Sequence, residues 1–352
     1  MVLDLPSVGV PAFARGRLRA SFDHLHELLA IRRVRGAAAA VLDAVRGDPV
    51  LHEAPAWTVQ HARGDADSGF IAVVGSEDAA PRAVVRAGRS AAATARIDRE
   101  MSSIAAVRSL PLPADTLRLL PGIVASGRVG SLAFAIETAL PGRTVDVRRL
   151  GAPARRRLFD EARVAIGPIH AAAAKTAPTD SRDVDRWVHR RADLVRDLLV
   201  AVGITGREPW AVAALRQRLS LSLEGSTCTR TRVHGDFWAG NLLVVDDPSG
   251  APCVTGIVDW DTSEPDELAL QDTLHLELYA EKVVARHSLG QVVAARLQAT
   301  VGRAEPPDGL PEADRLLLYW LRQVEANHAR DAGATSRPEW IARNIKPVLA
   351  WV

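Results

Sequence analysis

The feature that most constrains this chain is a change of hydrophobic period. Between residues 57 and 137 apolar side chains fall in short alternating runs; after Leu140-Pro141-Gly142 they recur at helical spacing. A period of two buries one face of a strand and a period near 3.6 buries one stripe of a helix, so two architectures must be joined. The first part predicts strands at Trp57 to Gln60, Phe70 to Val74, Arg82 to Arg86, Ile123 to Val129 and Leu132 to Glu137, with turns at Gly64 to Gly69 and Gly75 to Ala80. One helix is expected over Ala92 to Val107, with Ile97, Met101, Ile104 and Val107 on its apolar stripe; Leu110-Pro111-Leu112-Pro113 is a loop, because proline offers no backbone donor.

The second part predicts helices near 152–174, 181–201, 208–223, 266–286, 288–301 and 311–332. One hairpin interrupts them: Asn241 to Val245, a turn at Asp246-Asp247-Pro248-Ser249-Gly250, and Val254 to Trp260. Before residue 51, positions 16 to 46 read as two short amphipathic helices, with Phe22, Leu25, Leu28, Leu29 and Ile31 on a stripe that Gly47-Asp48-Pro49 ends. The expectation is an α+β protein in three segments: a helical extension over 1–50, a small antiparallel-sheet lobe with one helix over 51–140, and a larger, mostly helical lobe over 141–352 that contains the hairpin. A cleft between the two lobes, hinged near 137–142, follows from that pattern.

Composition narrows the function classes. The 352 residues are 47% apolar, enough for a sizeable core, and carry a net charge of +2. That balance provides no electrostatic footprint for nucleic acid or a membrane surface, so neither is an expected partner. Cys228 and Cys253 are the only cysteines, too few for a disulfide framework or a four-cysteine zinc site. No apolar run reaches the roughly 18 residues of a transmembrane span, and Met1 to Phe22 has no signal-peptide layout, so a cytoplasmic location is expected.

The chemistry concentrates in Val233-His234-Gly235-Asp236-Phe237-Trp238-Ala239-Gly240-Asn241 and, further on, Val258-Asp259-Trp260-Asp261. Asp236 sits in a Gly-flanked loop, Asn241 begins a strand, and Asp259 ends the returning strand. A hairpin brings its ends together, so Asn241 and Asp259 should be neighbours. A neutral amide oxygen with one or two carboxylate oxygens suits Mg²⁺, which takes oxygen donors and completes its shell with water and substrate phosphates. Asp236, just upstream, is placed to accept a proton from an attacking hydroxyl. Taken singly, each of these residues reads as a turn cap; taken together they fit phosphoryl transfer.

The pattern His-Gly-Asp-x-x-x-x-Asn, followed by a hairpin and Val-Asp-Trp-Asp, resembles the aminoglycoside phosphotransferase / choline kinase family, relatives of the protein kinases. The resemblance covers roughly residues 55 to 345 and implies a protein-kinase-like fold of two lobes. It implies Asp236 as catalytic base, His234 as the residue that shapes the loop, Asn241 and Asp259 as metal ligands, and Asp272 as a brace of the loop through backbone N–H groups. It places Arg86 where protein kinases carry a phosphate-contacting Lys, with Glu100 as its helix partner; Arg89 and Arg99 are alternative phosphate contacts. The Gly64 to Gly69 turn would cover the triphosphate through backbone N–H groups and the Ser68 hydroxyl. The segment with Glu137 and Ala139 would meet the nucleotide base. His170 resembles a structural histidine at a helix end.

The resemblance therefore implies a kinase that uses ATP or GTP with Mg²⁺ and a small-molecule hydroxyl acceptor: a sugar, aminosugar, aminoglycoside or related metabolite. A catalytically silent nucleotide-binding scaffold on the same fold is the alternative. Trp238, Asp261 and Glu264 are the nearest candidates for acceptor contacts; Trp260 reads as core. Glu277, Glu281, Glu325, Asn327, Asp331 and the Tyr319-Trp320 pair are uncommitted. An aminoglycoside would need a densely acidic pocket, and the chain ends Pro347-Val348-Leu349-Ala350-Trp351-Val352, so a sugar or polyol ranks ahead of a polycation and choline ranks last.

Overall fold

Five strands pair into one antiparallel sheet in the order β1-β2-β3-β5-β4: β1 (Thr58–Asp65), β2 (Gly69–Gly75), β3 (Ala83–Gly88), β4 (Ile123–Val129) and β5 (Leu132–Thr138). The computed structural model describes residues 32–45, 58–65, 69–75, 80–247, 250–302 and 309–352. Trp57, Ser68 and the expected stripe from Phe22 to Ile31 lie outside them. A helix over 32–45, α1, packs Val34, Ala38 and Val41 on one sheet face against Phe70, Val74, Val85 and Phe134. On the other face Ala133 and Ala135 meet Ile97 and Met101 of α2 (Ala91–Arg108). That explains the sequence of β5: a strand covered on both faces loses its alternation and reads as a continuous apolar run.

These elements form the first of two compact units, which takes the described residues up to Met101 together with Gly122–Ala139. Residues 102–121 group instead with the second unit, although they precede β4 in the chain. The reason is local. Arg108 Nη1 donates to the carbonyls of Leu117 and Leu120 at 3.2 and 3.1 Å. The carbonyl of Leu119, which follows the short helix α3 (Ala114–Arg118), accepts from Ile257 N–H at 2.8 Å.

The second unit is mostly helical. In chain order it holds α4 (Ala152–Ala172), β6 (Lys175–Pro178), α5 (Ser181–Val184), a π turn (Asp185–His189), α6 (Arg190–Ala201), α7 (Glu208–Leu223), β7 (Thr227–Val233), β8 (Leu242–Asp246), β9 (Pro252–Ile257) and β10 (Glu264–Leu268). It continues with α8 (Leu270–Ala285), α9 (Leu289–Thr300), α10 (Glu312–Arg330), α11 (Ala332–Thr335), α12 (Pro338–Asn344) and α13 (Lys346–Leu349). The axis is α10, buried almost without break from Ala313 to Val324 and packed with Trp187, Leu215, Val293 and Ile345. Trp320, at its middle, donates from Nε1 to the Asn344 carbonyl at 2.9 Å. Trp260 and Tyr319 are fully buried core.

Strands β8 and β9 form the expected hairpin, while β10-β7-β6 make a small sheet that the sequence reading missed. The helix expected from residue 266 begins at Leu270, because Glu264, Glu267 and Leu268 pair with Val233, Thr231 and Arg230 of β7. Asp266 takes the left-handed φ of 56° at the irregularity between them. Among the described residues no helix is long and apolar enough to cross a membrane, and both cysteines are free thiols.

Candidate active site

The loop 234–241 leaves β7 and returns into β8, and nearly every backbone group near its start has a fixed partner. The Asp272 carboxylate, in the first turn of α8, accepts from His234 N–H at 2.7 Å and from Gly235 N–H at 2.9 Å. It also meets His170 Nε2, on the last turn of α4, at 2.9 Å. Asp272 is fully buried. Burial alone would raise its pKa, but the His170 hydrogen bond and the backbone donors outweigh that and hold it below the usual carboxylate range. On the opposite side of the same turn, Arg322 Nη1 from α10 donates to the Gly235 carbonyl at 2.9 Å. Gly235 has φ +88°, and a Cβ there would sit 2.1 Å from the Thr262 carbonyl oxygen. Only glycine fits this clamped, left-handed peptide.

His234 links the loop to the hairpin. Its Nδ1 accepts from the Asp236 backbone N–H at 3.3 Å, so Nε2 is the donor that meets the Val258 carbonyl at 3.0 Å. The ring is buried between Phe237 and Trp260, with centroids 5.8 and 4.5 Å away. Across the hairpin base, Val258 N–H donates to the Asn241 carbonyl at 3.0 Å, and Leu242 pairs with Ile257. Asp259 is therefore the first residue past the partner of Asn241. Its φ of 72° is unusual for a residue with a side chain and costs on the order of 1–2 kcal/mol.

The Asp236 side chain is half-buried and gripped on both oxygens. Oδ1 lies 3.1 Å from His275 Nε2, and Oδ2 lies 3.3 Å from Asn241 Nδ2, which also donates to the Asp236 carbonyl at 2.8 Å. His275 is fixed in turn by the Tyr319 hydroxyl, 2.9 Å from Nδ1. Burial pushes the His275 pKa down and the Tyr319 pKa well up, so at neutral pH Tyr319 donates to His275 and His275 donates to Asp236. Burial also opposes ionisation of Asp236, but the His275 bond and the Arg330 guanidinium, 3.6 Å from Oδ1, prevail and hold the carboxyl far below its usual range. Asp236 is a fixed, ionised acceptor.

The amide nitrogen of Asn241 is committed to Asp236, which leaves its oxygen as the atom that could meet a cation. Asp261, expected among the acceptor contacts, presents a carboxylate oxygen within 4.8 Å of one from Asp259. This all-oxygen set fits a hard divalent cation. Trp238 is half-buried and packs at a tilt against Tyr279 of α8, with centroids 4.7 Å apart. Glu264 lies in β10, 3.6 Å from Arg322.

In the first unit, Arg86 of β3 lies 2.9 Å from Glu137 of β5 and 3.6 Å from Glu100 of α2. Both carboxylates are buried. Glu137, expected at the nucleotide base, is thus the nearer partner of Arg86. The Ala139 N–H donates to the Arg82 carbonyl at 3.1 Å. Gly64 has φ +101°, and a Cβ there would meet the Gly69 carbonyl at 2.5 Å, so the turn requires glycine.

Sequence reasoning missed His275, Tyr279, Lys282, Arg322 and Arg330. A signal was present: Asp272, His275, Tyr279 and Lys282 fall at i, i+3, i+7 and i+10, one face of one helix.

The comparisons with known proteins bear on the fold and on the family. Solved kinase-like structures share the fold. A thermostable mutant of aminoglycoside phosphotransferase APH(4)-Ia, in ternary complex with AMP-PNP and hygromycin B, is 13% identical with a TM-score of 0.54, over 86% of this chain and 97% of that one. ADP-bound aminoglycoside phosphotransferase APH(2'')-Ib is 12% identical with a TM-score of 0.51, over 89% and 97%. At that identity the likeness concerns the fold alone. The family model described as the phosphotransferase enzyme family matches residues 58–270, more than half of the chain, and the protein belongs to that family. No curated protein matches the sequence.

Proposed function

We propose that the protein is a small-molecule kinase that transfers the γ-phosphate of ATP or GTP to a hydroxyl group of a sugar-like or polyol acceptor. The observation that carries this reading is the Asp236 carboxylate, ionised and held by His275 and Asn241 at the foot of the hairpin that bears Asp259. An ionised carboxylate fixed on both oxygens can orient the acceptor hydroxyl and take its proton as the bond to phosphorus forms. That suits phosphoryl transfer, where positioning and electrostatics supply most of the rate.

Asn241 and Asp259 would hold Mg²⁺, with Asp261 beside them. When bound, the ion neutralises phosphate charge. Asn241 has two tasks on this reading: its nitrogen fixes Asp236 and its oxygen meets the metal. Arg86, set by Glu137 and Glu100, would grip phosphate oxygens, and Gly64 would let the β1–β2 turn approach them. His234 and Asp272 act on geometry only. A cytoplasmic location accords with two free thiols.

The test is Mg²⁺-dependent ADP release across a panel of sugars, aminosugars, aminoglycosides and choline. Turnover on one class, abolished in Asp236→Ala, supports the reading. Nucleotide binding with no turnover on any acceptor favours a silent scaffold.

A further inference from the structure

Beside Asp236 the exposed charge is positive. Tyr279 packs at a tilt between His275 and Trp238, at 5.1 and 4.7 Å between centroids. Lys282 lies over the same ring, its Nζ 4.3 Å from the centroid. From α10, Arg330 brings a guanidinium, 54% exposed, to 3.6 Å from Asp236 Oδ1. Lys282 makes no ion pair among the described residues. Burial and the nearby charge of Arg330 lower its pKa, against a smaller opposing pull from Asp236. One cation therefore meets the carboxylate and a second lies on the Tyr279 ring, with Trp238 against the same ring.

The carboxylates of the two helices do not offset this charge. On α8, Glu277 is paired with Arg163 and Glu281 with Arg296. On α10, Glu325 is bonded to Arg191 at 2.7 Å and Asp314 to Arg218 at 2.6 Å. Asp331 caps the next helix by accepting from Ala334 N–H at 2.8 Å. Glu267 is fully buried against Arg191, and Glu264 faces Arg322. Each of these carboxylates is committed to another partner.

We infer that the acceptor is a hydroxylated anion, carrying a carboxylate or a phosphate ester that Lys282 and Arg330 recognise next to the hydroxyl oriented by Asp236. This rests on the kinase reading and gives its acceptor class. Long cationic side chains that hold no strong pair in the free protein are suited to close on an anion, and guanidinium and ammonium groups bind both oxyanion types. The same charges would repel an aminoglycoside or choline.

The test is calorimetric titration of the protein, saturated with Mg²⁺–AMP-PNP, by four matched probes: glucose, gluconate, glucose 6-phosphate and glucosamine. Saturation keeps the nucleotide site filled, so that phosphate probes report the acceptor site. One or both anions should bind at least about tenfold tighter than glucose, and glucosamine no tighter than glucose. A lead for gluconate identifies a carboxylate acceptor and a lead for glucose 6-phosphate a phosphate ester. Lys282→Gln with Arg330→Gln should erase the difference; Arg330→Gln alone, at an exposed position, should erase part of it in a folded protein. Anions that bind no better than glucose, a preference for glucosamine, or an anion preference that survives both substitutions would overturn the inference. Failure of Mg²⁺–AMP-PNP to bind, seen before any probe is added, would instead overturn the kinase reading.

Discussion

The two sides of Asp236 are built differently. Toward the loop, every restraint is short and at least partly buried: Asp272 under His234 and Gly235, Arg322 on the Gly235 carbonyl, and Asn241 on the Asp236 carbonyl. Toward the ends of α8 and α10, the neighbours are Lys282 and Arg330, long side chains that contact a ring face and a carboxylate edge. The difference separates two tasks. On the proposed function, chemistry that depends on geometry sits where the backbone is fixed from both sides, and selection of the partner sits on charges that can reorganise around it.

The sharpest way to break that division is Asp236→Asn. On the proposed role it lowers kcat by about 10³-fold or more while nucleotide affinity stays within about twofold. Turnover within tenfold of the native enzyme would remove Asp236 from the chemistry. Next comes Asp272→Asn, which leaves buried donors short of a charged acceptor. A loss of about 3–5 kcal/mol is expected, read as a fall in Tm of roughly 2–4 °C for each kcal/mol. The pH dependence follows from the sign of the shift. Because the folded pKa of Asp272 is lowered, its contribution is present above the unfolded value of about 3.9 and is lost as pH falls through the folded value. Acid titration of Tm should show that limb in the native protein and a weaker one in the variant.

On the other side of Asp236, Arg330→Gln should raise the acceptor KM about tenfold with kcat nearly unchanged and Tm within a degree, because the residue is exposed. A large drop in kcat instead would place Arg330 with the rigid half. The smallest effect is expected from His275→Leu. Losing its hydrogen bond raises the pKa of Asp236, so the acidic limb of the kcat/KM profile moves to higher pH while the plateau at neutral pH persists. An unmoved limb would show that Asp236 is held ionised by other groups.

The same division explains what the sequence made legible. The loop and hairpin could be read because their geometry is local: Gly235, Asp236, Asn241 and Asp259 are joined by one turn and one β-ribbon. The sheet was readable wherever one face is buried, as in β2, whose burial alternates residue by residue until its last turn. The β10-β7-β6 sheet was not. Glu264-Pro265-Asp266-Glu267-Leu268 has no strand propensity and becomes a strand by pairing with β7, with Glu267 buried against Arg191 from α6. Arg322 and Arg330 were out of reach for the same reason: Arg322 meets the Gly235 carbonyl from 87 residues further along the chain, and Arg330 meets Asp236 from further still. Their partners were equally hidden. Glu325 reads as a surface acid until Arg191 is found beside it, and Glu137 reads as a linker until β3 and β5 place it against Arg86.

The central claim is that the hairpin base, Asn241 with Asp259, holds the metal that carries the nucleotide beside Asp236. The most direct measurement is ATP affinity as a function of Mg²⁺ concentration in the native protein and in Asp259→Ala. Mg²⁺ should tighten ATP binding in the native protein, and Asp259→Ala should lose most of this dependence while remaining folded. An Asp259→Ala protein with an unchanged Mg²⁺ dependence would contradict it.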